Sequence, residues 1–212
     1  MKFVHLHNHS HYSLLDGLSK IDDMVARTKA LGMDAIAITD HGNLYGSIEF
    51  YQKAKKAKIK PILGMEAYVA PGNRRDKGQG TGDPDSKINK NPKEEFGMRN
   101  RLPYYHLILL AENDAGWKNL IKLATKASLE GFYYKPRIDK ELLREHHEGL
   151  IALSGCMTGE ISRLLLADKF SAAENAVKEY VEIFGPNNFF LEIGHHPAIK
   201  ELKKINEGLI LL

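Results

Sequence analysis

Short apolar runs of strand length alternate with amphipathic stretches of helix length along most of this chain. Runs of this kind are typical of buried strands, and a helix between two strands is long enough to return the chain for parallel pairing. The alternation therefore predicts βαβ units around a parallel sheet. The predicted strands are Phe3–His7, Ala35–Thr39, Pro61–Val69, Tyr105–Ala111, Leu150–Leu153 and Phe189–Ile193.

Capping signals mark several of the intervening helices. Ser19 followed three residues later by Asp22 is typical of a helix start, and Gly32 is typical of a helix end. Asn113 and Asp139 are the predicted N-caps of two further helices. The predicted helices cover residues 20–31, 46–58, 114–130, 140–147, 158–167 and 171–184.

One segment departs from the alternation. Residues 71–102 are rich in Gly, Asp, Asn, Lys and Pro and almost free of apolar side chains, which predicts a long mobile loop. The length of 212 residues allows one sizeable core, so we expect a single domain over residues 1–212. The apolar run Leu209–Leu212 ends in a predicted helix without a cap, which we interpret as an incomplete C-terminus of that domain.

Composition indicates where the protein would be located but says little about its chemistry. No run of about eighteen apolar residues is present and the N-terminus turns polar too early for a secretion signal, so we expect no membrane partner and a cytoplasmic location. Cys156 is the single cysteine and cannot form an internal disulfide, which fits a reducing compartment. A net charge of +3 is too small to identify a nucleic-acid partner.

Four histidines fall within one short N-terminal segment. In an extended strand His5, His7, His9 and His11 would all project to the same side. Two imidazoles spaced in this way can bind one ion such as Zn²⁺. The alternative is a histidine-rich strand end that faces solvent, and the spacing does not say which of the four would bind.

Two further groups follow predicted strands. The sequence Thr39-Asp40-His41-Gly42 leaves the second predicted strand, at the edge of the sheet where barrel active sites collect. A turn that caps the next helix would explain it equally well. Glu66 lies near the end of the third strand among apolar residues, where an unpaired buried carboxylate would cost several kcal/mol unless a cation compensates it. An exposed position at the edge of the sheet is the alternative.

Three single residues have weaker signals. Cys156 follows a strand by three residues, so it is either a thiolate ligand of a metal or a buried inert cysteine. Asp16 beside Gly17 is either a ligand or part of a turn. His106 lies near the start of its strand, which is the wrong end for this edge of a parallel sheet and favours a core position.

Other polar groups favour ordinary surface interpretations. His146 and His147 lie on a short polar helix, which favours a solvated surface. His195 and His196 follow a strand end with Glu192 and are more typical of a loop, with a position lining the site as the alternative. The lysines between 53 and 60 predict a solvated helix face, with attraction to a phosphate backbone as the alternative.

Four stretches of the sequence resemble the polymerase and histidinol phosphatase (PHP) superfamily of metal-dependent phosphoesterases. They are FVHLHNHSHYSLLDG, ITDHGNLYGSIEFYQKAKKAKIKPILGMEAYVAPG, HLILLAENDAGWKNLIKLATKASLEGFYYKPRID and LIALSGCMTGEI. Within the superfamily they are most similar to the N-terminal PHP domains of bacterial DNA polymerase III alpha subunits. The resemblance implies an α/β fold, a distorted (β/α)7 TIM-like barrel, here truncated at its C-terminus.

The same resemblance implies a site for up to three divalent metal ions, with zinc favoured and manganese or iron as alternatives. It leaves out His5 and His11 and moves His106 from the core to the site. Two further family ligands, an Asp-x-His pair after one more strand, are not in this sequence. The implied metal ligands are His7, His9, Asp16, His41, Glu66, His106 and Cys156.

The resemblance implies a 3′–5′ exonuclease that proofreads the primer 3′ end of DNA within a DNA-directed DNA polymerase, with Glu66, His9 and His41 as the catalytic residues. Bound metals would polarise the phosphodiester and activate water. Its partners would be DNA and the remainder of the polymerase alpha chain, since the polymerase active site lies outside this sequence. The alternative is a structural module that supports the polymerase and docks a separate proofreading exonuclease. A free-standing phosphatase for small molecules is disfavoured by the polymerase-like stretches.

Overall fold

The computed structural model describes residues 3–14, 16–76 and 104–212. Over these ranges the sheet follows the order β1-β2-β3-β5-β6, and β4 pairs with β2 beside it. The elements in chain order are α1 (Ile21–Ala30), β1 (Ala35–Ile38), α2 (Ser47–Lys56), β2 (Lys60–Val69), β3 (Tyr105–Ala111), α3 (Asp114–Leu129), β4 (Arg137–Ile138), α4 (Lys140–Glu145), β5 (Leu150–Leu153), α5 (Glu160–Leu166), α6 (Phe170–Phe184), β6 (Phe189–Phe190) and α7 (Glu201–Leu211).

The sheet is mixed, so the prediction of a parallel sheet is wrong for one strand. β1 and β4 pair with β2 in parallel, and β6 pairs with β5 in parallel. β3 runs antiparallel to both of its neighbours, β2 and β5. A parallel return from β2 would need a crossover, usually a helix, and the sequence between β2 and β3 has no helical apolar pattern. An antiparallel return needs no crossover helix.

The predicted strand Phe3–His7 is extended but is not a regular strand. Ala37 N–H donates to His5 O (2.9 Å) and Thr39 N–H donates to Asn8 O (2.8 Å), so the segment runs parallel to β1. From His5 to Asn8 the segment advances three residues, whereas β1 advances only two from Ala37 to Thr39, so the regular pairing register is broken. Side chains replace the lost ladder bonds, because Asn8 N–H donates to Thr39 Oγ1 and Asn8 Nδ2 donates to Ala37 O.

The sheet curls so that strands distant in the sheet share a core. Ala37 of β1 packs in one buried cluster with Ile108 of β3 and Leu153 of β5, although β2 and β3 separate β1 from β5 in the sheet. The largest cluster lies between the outer face of the sheet and the helices, and includes Leu109 and Leu120. This curvature brings the ends of several strands towards one region.

The predicted helix caps have different outcomes. Asn113 accepts a hydrogen bond from Gly116 N–H and Asp139 accepts one from Leu142 N–H, so both predicted N-caps are confirmed. The predicted cap at Ser19 is wrong, because the N-cap of α1 is Lys20. Ser19 O accepts instead from His11 N–H (2.9 Å), which ties the loop before α1 to the histidine segment.

The observed lengths of the elements differ from the predicted ones mainly for β4 and β6. β6 covers two residues rather than the predicted five, because the chain leaves the sheet after Phe190. β4 was not predicted, since two residues are too few to make a pattern. α7 extends the helix that the apolar run at Leu209–Leu212 indicated.

Only the beginning of the predicted loop 71–102 falls within the described residues. Arg74 is 4% exposed there, and its guanidinium donates to Asp139 (3.0 Å) and Glu130 (2.7 Å). Residues 77–103 lie outside the described ranges, so the mobile loop stays a prediction. Among the helices that the structure describes, none combines the length and the apolar character that a bilayer crossing requires.

Candidate metal centre

Four imidazoles surround one buried carboxylate at the ends of the strands. Glu66 is 1% exposed. Its Oε2 lies 2.5 Å from His7 Nε2 and 3.2 Å from His9 Nε2. Its Oε1 lies 3.2 Å from His41 Nδ1 and also contacts His106 Nδ1. Each carboxylate oxygen therefore faces its own pair of imidazole nitrogens.

The antiparallel direction of β3 explains the position of His106. Residue Tyr68, near the end of β2, pairs with His106, the second residue of β3. The predicted bounds of the strand are right, but its direction reverses which end reaches the site. The side chain of His106 is 13% exposed and contacts Glu66, so the core position inferred from strand position alone is wrong.

Backbone pairing sets His41 beside Glu66. Glu66 N–H donates to Asp40 O (3.1 Å) and Gly42 N–H donates to Glu66 O (2.9 Å), which continues the β1–β2 pairing for one bridge. Gly42 has φ +61°, and a Cβ there would lie 2.8 Å from the Tyr68 ring. A glycine is therefore required at this position both by backbone conformation and by space.

Asp40 organises the loop that carries His9, a role that the sequence analysis missed. Its buried carboxylate accepts from Ser10 N–H (2.6 Å), Ser10 Oγ (2.8 Å) and Ser13 Oγ (2.7 Å). Ser13 Oγ in turn accepts from His41 N–H (3.0 Å) and lies 3.3 Å from His9 Nδ1. The two serines beside the histidines were the available signal for this network.

Asp16 lies on the open side of the cluster. Its carboxylate is 55% exposed and 2.5 Å from His41 Nε2. The rings of His9 and His41 stack with centroids 4.1 Å apart. These three residues place ligand atoms within 4.8 Å of one another, as a second group beside the one around Glu66.

Cys156 reaches the cluster from the loop after β5. Gly155 has φ +76°, and a Cβ there would lie 2.9 Å from His106 O, so the loop passes close to the backbone of β3. The thiol lies 3.0 Å from Thr158 Oγ1. Burial raises the pKa of the Cys156 thiol, but the neighbouring imidazole of His106 and the contact with Thr158 bring the net pKa below its ordinary value.

Glu192 contacts the cluster, although the sequence analysis did not count it among the site residues. Its Oε1 lies 2.8 Å from His7 Nδ1, and its own N–H donates to Ser154 Oγ (2.9 Å). An imidazole that binds a metal through one nitrogen usually donates its other N–H to a carboxylate or carbonyl. The signal was an acidic residue near the end of the predicted strand Phe189–Ile193, but β6 ends at Phe190, so Glu192 lies in the loop after it.

The electrostatics of the cluster couple the carboxylate and the imidazoles. Burial alone would raise the pKa of Glu66, yet the surrounding imidazoles, led by His106, hold it well below its ordinary value. Burial opposes protonation of His7, but Glu192 and Glu66 raise its pKa to about 10. Burial likewise opposes protonation of His106, whereas Cys156 and Glu66 raise its pKa to about 9. Without a metal, His7 and His106 are therefore held as cations beside the carboxylate.

The donor set fits divalent metal ions. Three groups of ligand atoms each lie within 4.8 Å: His7, His9 and Glu66; His9, Asp16 and His41; His41, Glu66 and His106. Three buried atoms, Glu66 Oε1, His41 Nδ1 and His106 Nδ1, have no partner with hydrogen-bond geometry among the described residues although they converge. Buried polar atoms without partners are costly, and a shared cation satisfies all three at once. Imidazole, carboxylate and thiolate together suit zinc and also admit manganese or iron.

Six of the seven sequence-predicted ligands fall in these three groups, and Cys156 lies outside them beside His106. Their roles as ligands stay predictions. His5 and His11 are exposed and belong to none of the three groups of ligand atoms. The broken register beside β1 and the turn after Ser10 end the alternation that would have aligned them. His195 and His196 line a cavity of about 210 Å³ whose wall includes Cys156 and Glu192.

The contacts of Lys53 are those of a solvated face of α2. Lys53 Nζ lies 2.6 Å from Asp22 and 2.7 Å from Glu49. Exposed pairs of this kind contribute little to stability.

The fold and the site together define an α/β protein whose strand ends carry a cluster of histidines and carboxylates suited to divalent metal ions. Residues 5–196 match the PHP domain family, and the chain belongs to that family. The chain is similar over its whole length to proteins named DNA polymerase III subunit alpha. That of Borreliella burgdorferi is 47% identical over 99% of this chain and 16% of the relative, and that of Thermus aquaticus is 46% identical over 99% and 16%. This chain therefore spans about one sixth of the length of these relatives.

A solved structure supports the same fold. A protein from Bifidobacterium adolescentis described as a metal-dependent phosphoesterase aligns with 98% of this chain and 82% of its own, with a TM-score of 0.52 and 12% sequence identity. At this identity the likeness concerns the fold alone.

Proposed function

We propose that this chain is the PHP domain of a bacterial replicative DNA polymerase III alpha subunit and acts as a metal-dependent phosphoesterase with 3′–5′ exonuclease activity. The single observation that carries the proposal is the position of Glu66, whose two oxygens each face a pair of imidazole nitrogens. A carboxylate so placed is suited to bridge two ions. Phosphodiester cleavage by displacement at phosphorus is a reaction that paired ions serve, because they stabilise both the attacking and the leaving oxygen.

The residues divide by the ions that they would hold. His7 and His9 with Glu66 Oε2 would form one site, and His106 and His41 with Glu66 Oε1 a second. Asp16 with His9 and His41 would form a third, and Cys156 beside His106 would add a thiolate to the second. When bound, divalent ions supply Lewis-acid stabilisation of the phosphoryl oxygens and lower the pKa of water.

The side chains themselves do the positioning. Glu192 holds His7 through Nδ1, which leaves Nε2 directed at the cluster. Ser13 contacts both His9 and His41, so Asp40 fixes their separation through that serine. Because Asp16 is the most exposed member, a DNA 3′ end would approach from its side. His9, His41 and Glu66 are the proposed catalytic residues.

We also propose that the curled sheet is part of a distorted (β/α)7 barrel. His7, beside the β1 edge, contacts Glu192, which follows β6 at the other edge, and this contact across the two edges supports closure. The proposed partners are the primer 3′ end of DNA and the remainder of the polymerase chain. The proposed location is the cytoplasm, and zinc is the proposed metal.

The test uses the full-length polymerase chain that carries this domain. The variant His9→Ala removes an imidazole that two of the proposed sites share, and His11→Ala is the matched control, because His11 is exposed and outside the cluster. Both are assayed with Zn²⁺ or Mn²⁺ on primed DNA with a mispaired 3′ terminus, and release of single nucleotides is measured beside polymerase activity.

We expect His9→Ala to lose nucleotide release while His11→Ala retains it, with polymerase activity kept in both. Nuclease activity that survives unchanged in His9→Ala would reject the exonuclease proposal. It would favour a structural module that docks a separate proofreading exonuclease.

A further inference from the structure

A rigid turn beside the metal centre presents an exposed aromatic ring and a lysine. Tyr134 is 76% exposed and has φ +58°. Tyr133 N–H donates to Lys135 O (3.0 Å), which closes the turn around Tyr134. A left-handed conformation is unfavourable for any residue with a Cβ and is kept only where the surrounding structure enforces it.

Buried contacts enforce this turn from beneath. Arg137 is 3% exposed, and its guanidinium donates to the carbonyls of Gly131 (3.1 Å), Arg74 (2.8 Å) and Asp76 (2.8 Å). The same guanidinium lies 5.1 Å from the centre of the Tyr133 ring. The turn is therefore fixed on the protein core while Tyr134 projects into solvent.

The turn adjoins the metal centre directly. A Cβ on Gly42, the residue after His41, would lie 2.9 Å from Pro136 Cγ. Lys135 Nζ lies 5.5 Å from the centre of the Tyr68 ring, and that ring stacks on the imidazole of His41 at 5.9 Å. Lys135 and Pro136 therefore stand at the edge of the cluster, and Tyr134 directly precedes them in the turn.

Among the described residues, Lys135 has no acidic side chain close enough to form an ion pair. Across the described ranges, no carboxylate oxygen lies within 4.0 Å of its Nζ, whereas Lys140, five residues later, has two such partners, Glu160 and Glu179. The lysine is only partly exposed, and its Nζ lies over the Tyr68 ring that stacks on His41. A cation so placed attracts an anion that comes to the metal centre.

We propose that the turn formed by Tyr133, Tyr134 and Lys135 binds single-stranded DNA whose 3′ end enters the metal centre. Tyr134 stacks on a base and Lys135 contacts a backbone phosphate. Exposed aromatic rings interleaved with cations are how proteins hold single strands without reading their sequence. This inference rests on the proposed exonuclease function, because it assigns the strand that the nuclease would cleave.

The test measures binding rather than cleavage. Fluorescence anisotropy follows a labelled short oligo(dT) strand with the 212-residue chain in EDTA, so no hydrolysis occurs, over a range of salt concentrations. The variants are Tyr134→Ala, Tyr134→Phe and Lys135→Gln. The control is Tyr51→Ala, which removes an exposed tyrosine of α2.

We expect Tyr134→Ala to weaken oligo(dT) binding by about 5- to 150-fold, the range for losing one stacked base, and Tyr134→Phe to restore it. Lys135→Gln should reduce the slope of log affinity against log salt by about 0.7, the value for one phosphate contact of a single strand. Tyr51→Ala should bind as the wild type does. Circular dichroism spectra of the variants would show that the fold is kept.

Two results overturn the inference. One is an unchanged affinity of folded Tyr134→Ala for oligo(dT), which would favour a protein rather than DNA as the partner of the exposed ring. The other is a salt slope that Lys135→Gln does not alter. A failure of the exonuclease proposal is distinguishable, since His9→Ala would then keep nuclease activity while Tyr134→Ala still lost DNA binding.

Discussion

Replacing Asp40 tests whether the centre is held together by the protein rather than by metal alone. Asp40 is 2% exposed and accepts three hydrogen bonds from Ser10 and Ser13. A hydrogen bond to a charged group contributes about 1.5–3 kcal/mol, so three give a gross loss of at least about 4.5 kcal/mol in Asp40→Ala. Relief from burying a carboxylate offsets part of this loss. We expect the metal-free variant to lose about 3 kcal/mol of unfolding free energy.

The conservative variant separates charge from shape. In Asp40→Asn the amide nitrogen cannot accept a hydrogen bond, but one oxygen still can, so we expect a loss of about 1–2 kcal/mol. Asp23→Ala is the control, because Asp23 is exposed in the first turn of α1 and should cost less than about 1 kcal/mol. The measurement is urea unfolding in EDTA followed by circular dichroism. A loss below about 1 kcal/mol in Asp40→Ala, with an unchanged denaturant slope, would refute this reasoning.

Four further predictions address the metal affinity, the protons that metal binding releases, the pH dependence of stability and the packing. Glu192→Ala should lower the affinity for Zn²⁺ by about 10–100-fold, as measured by competition with a chelator, and Glu192→Gln should restore part of it; equal affinities would contradict the role of Glu192. Because the pKa values of His7 and His106 are about 10 and about 9, metal binding at pH 7.5 should release about two protons, measured by calorimetry in buffers of different ionisation heat. These raised pKa values stabilise the metal-free protein fully below pH 6.5, the ordinary pKa of histidine, and the stabilisation is lost as pH rises through about 9 and about 10. An equal free energy of unfolding at pH 6 and pH 10 would contradict this. Gly116→Ala places a Cβ 1.8 Å from Gly149 O and should cost about 3 kcal/mol in thermal or urea unfolding.

The residue types and their local periodicity predicted most of the ligand chemistry. An acid among apolar residues at Glu66, a Thr-Asp-His-Gly turn after a strand and closely spaced histidines were visible because each signal is local in sequence. The caps at Asn113 and Asp139 were predictable for the same reason, since a cap needs only the next three residues.

Tertiary structure decided what depends on partners distant in the chain. Strand direction, set by the pairing of β3 with β2 and β5, placed His106 at the centre rather than at the opposite edge of the sheet. A broken register selected His7 and His9 over His5 and His11. Glu192 meets His7 across 185 positions of sequence, because the curl of the sheet brings its two edges together. Sequence alone determined which atoms can bind a metal, whereas long-range packing determined which of them meet.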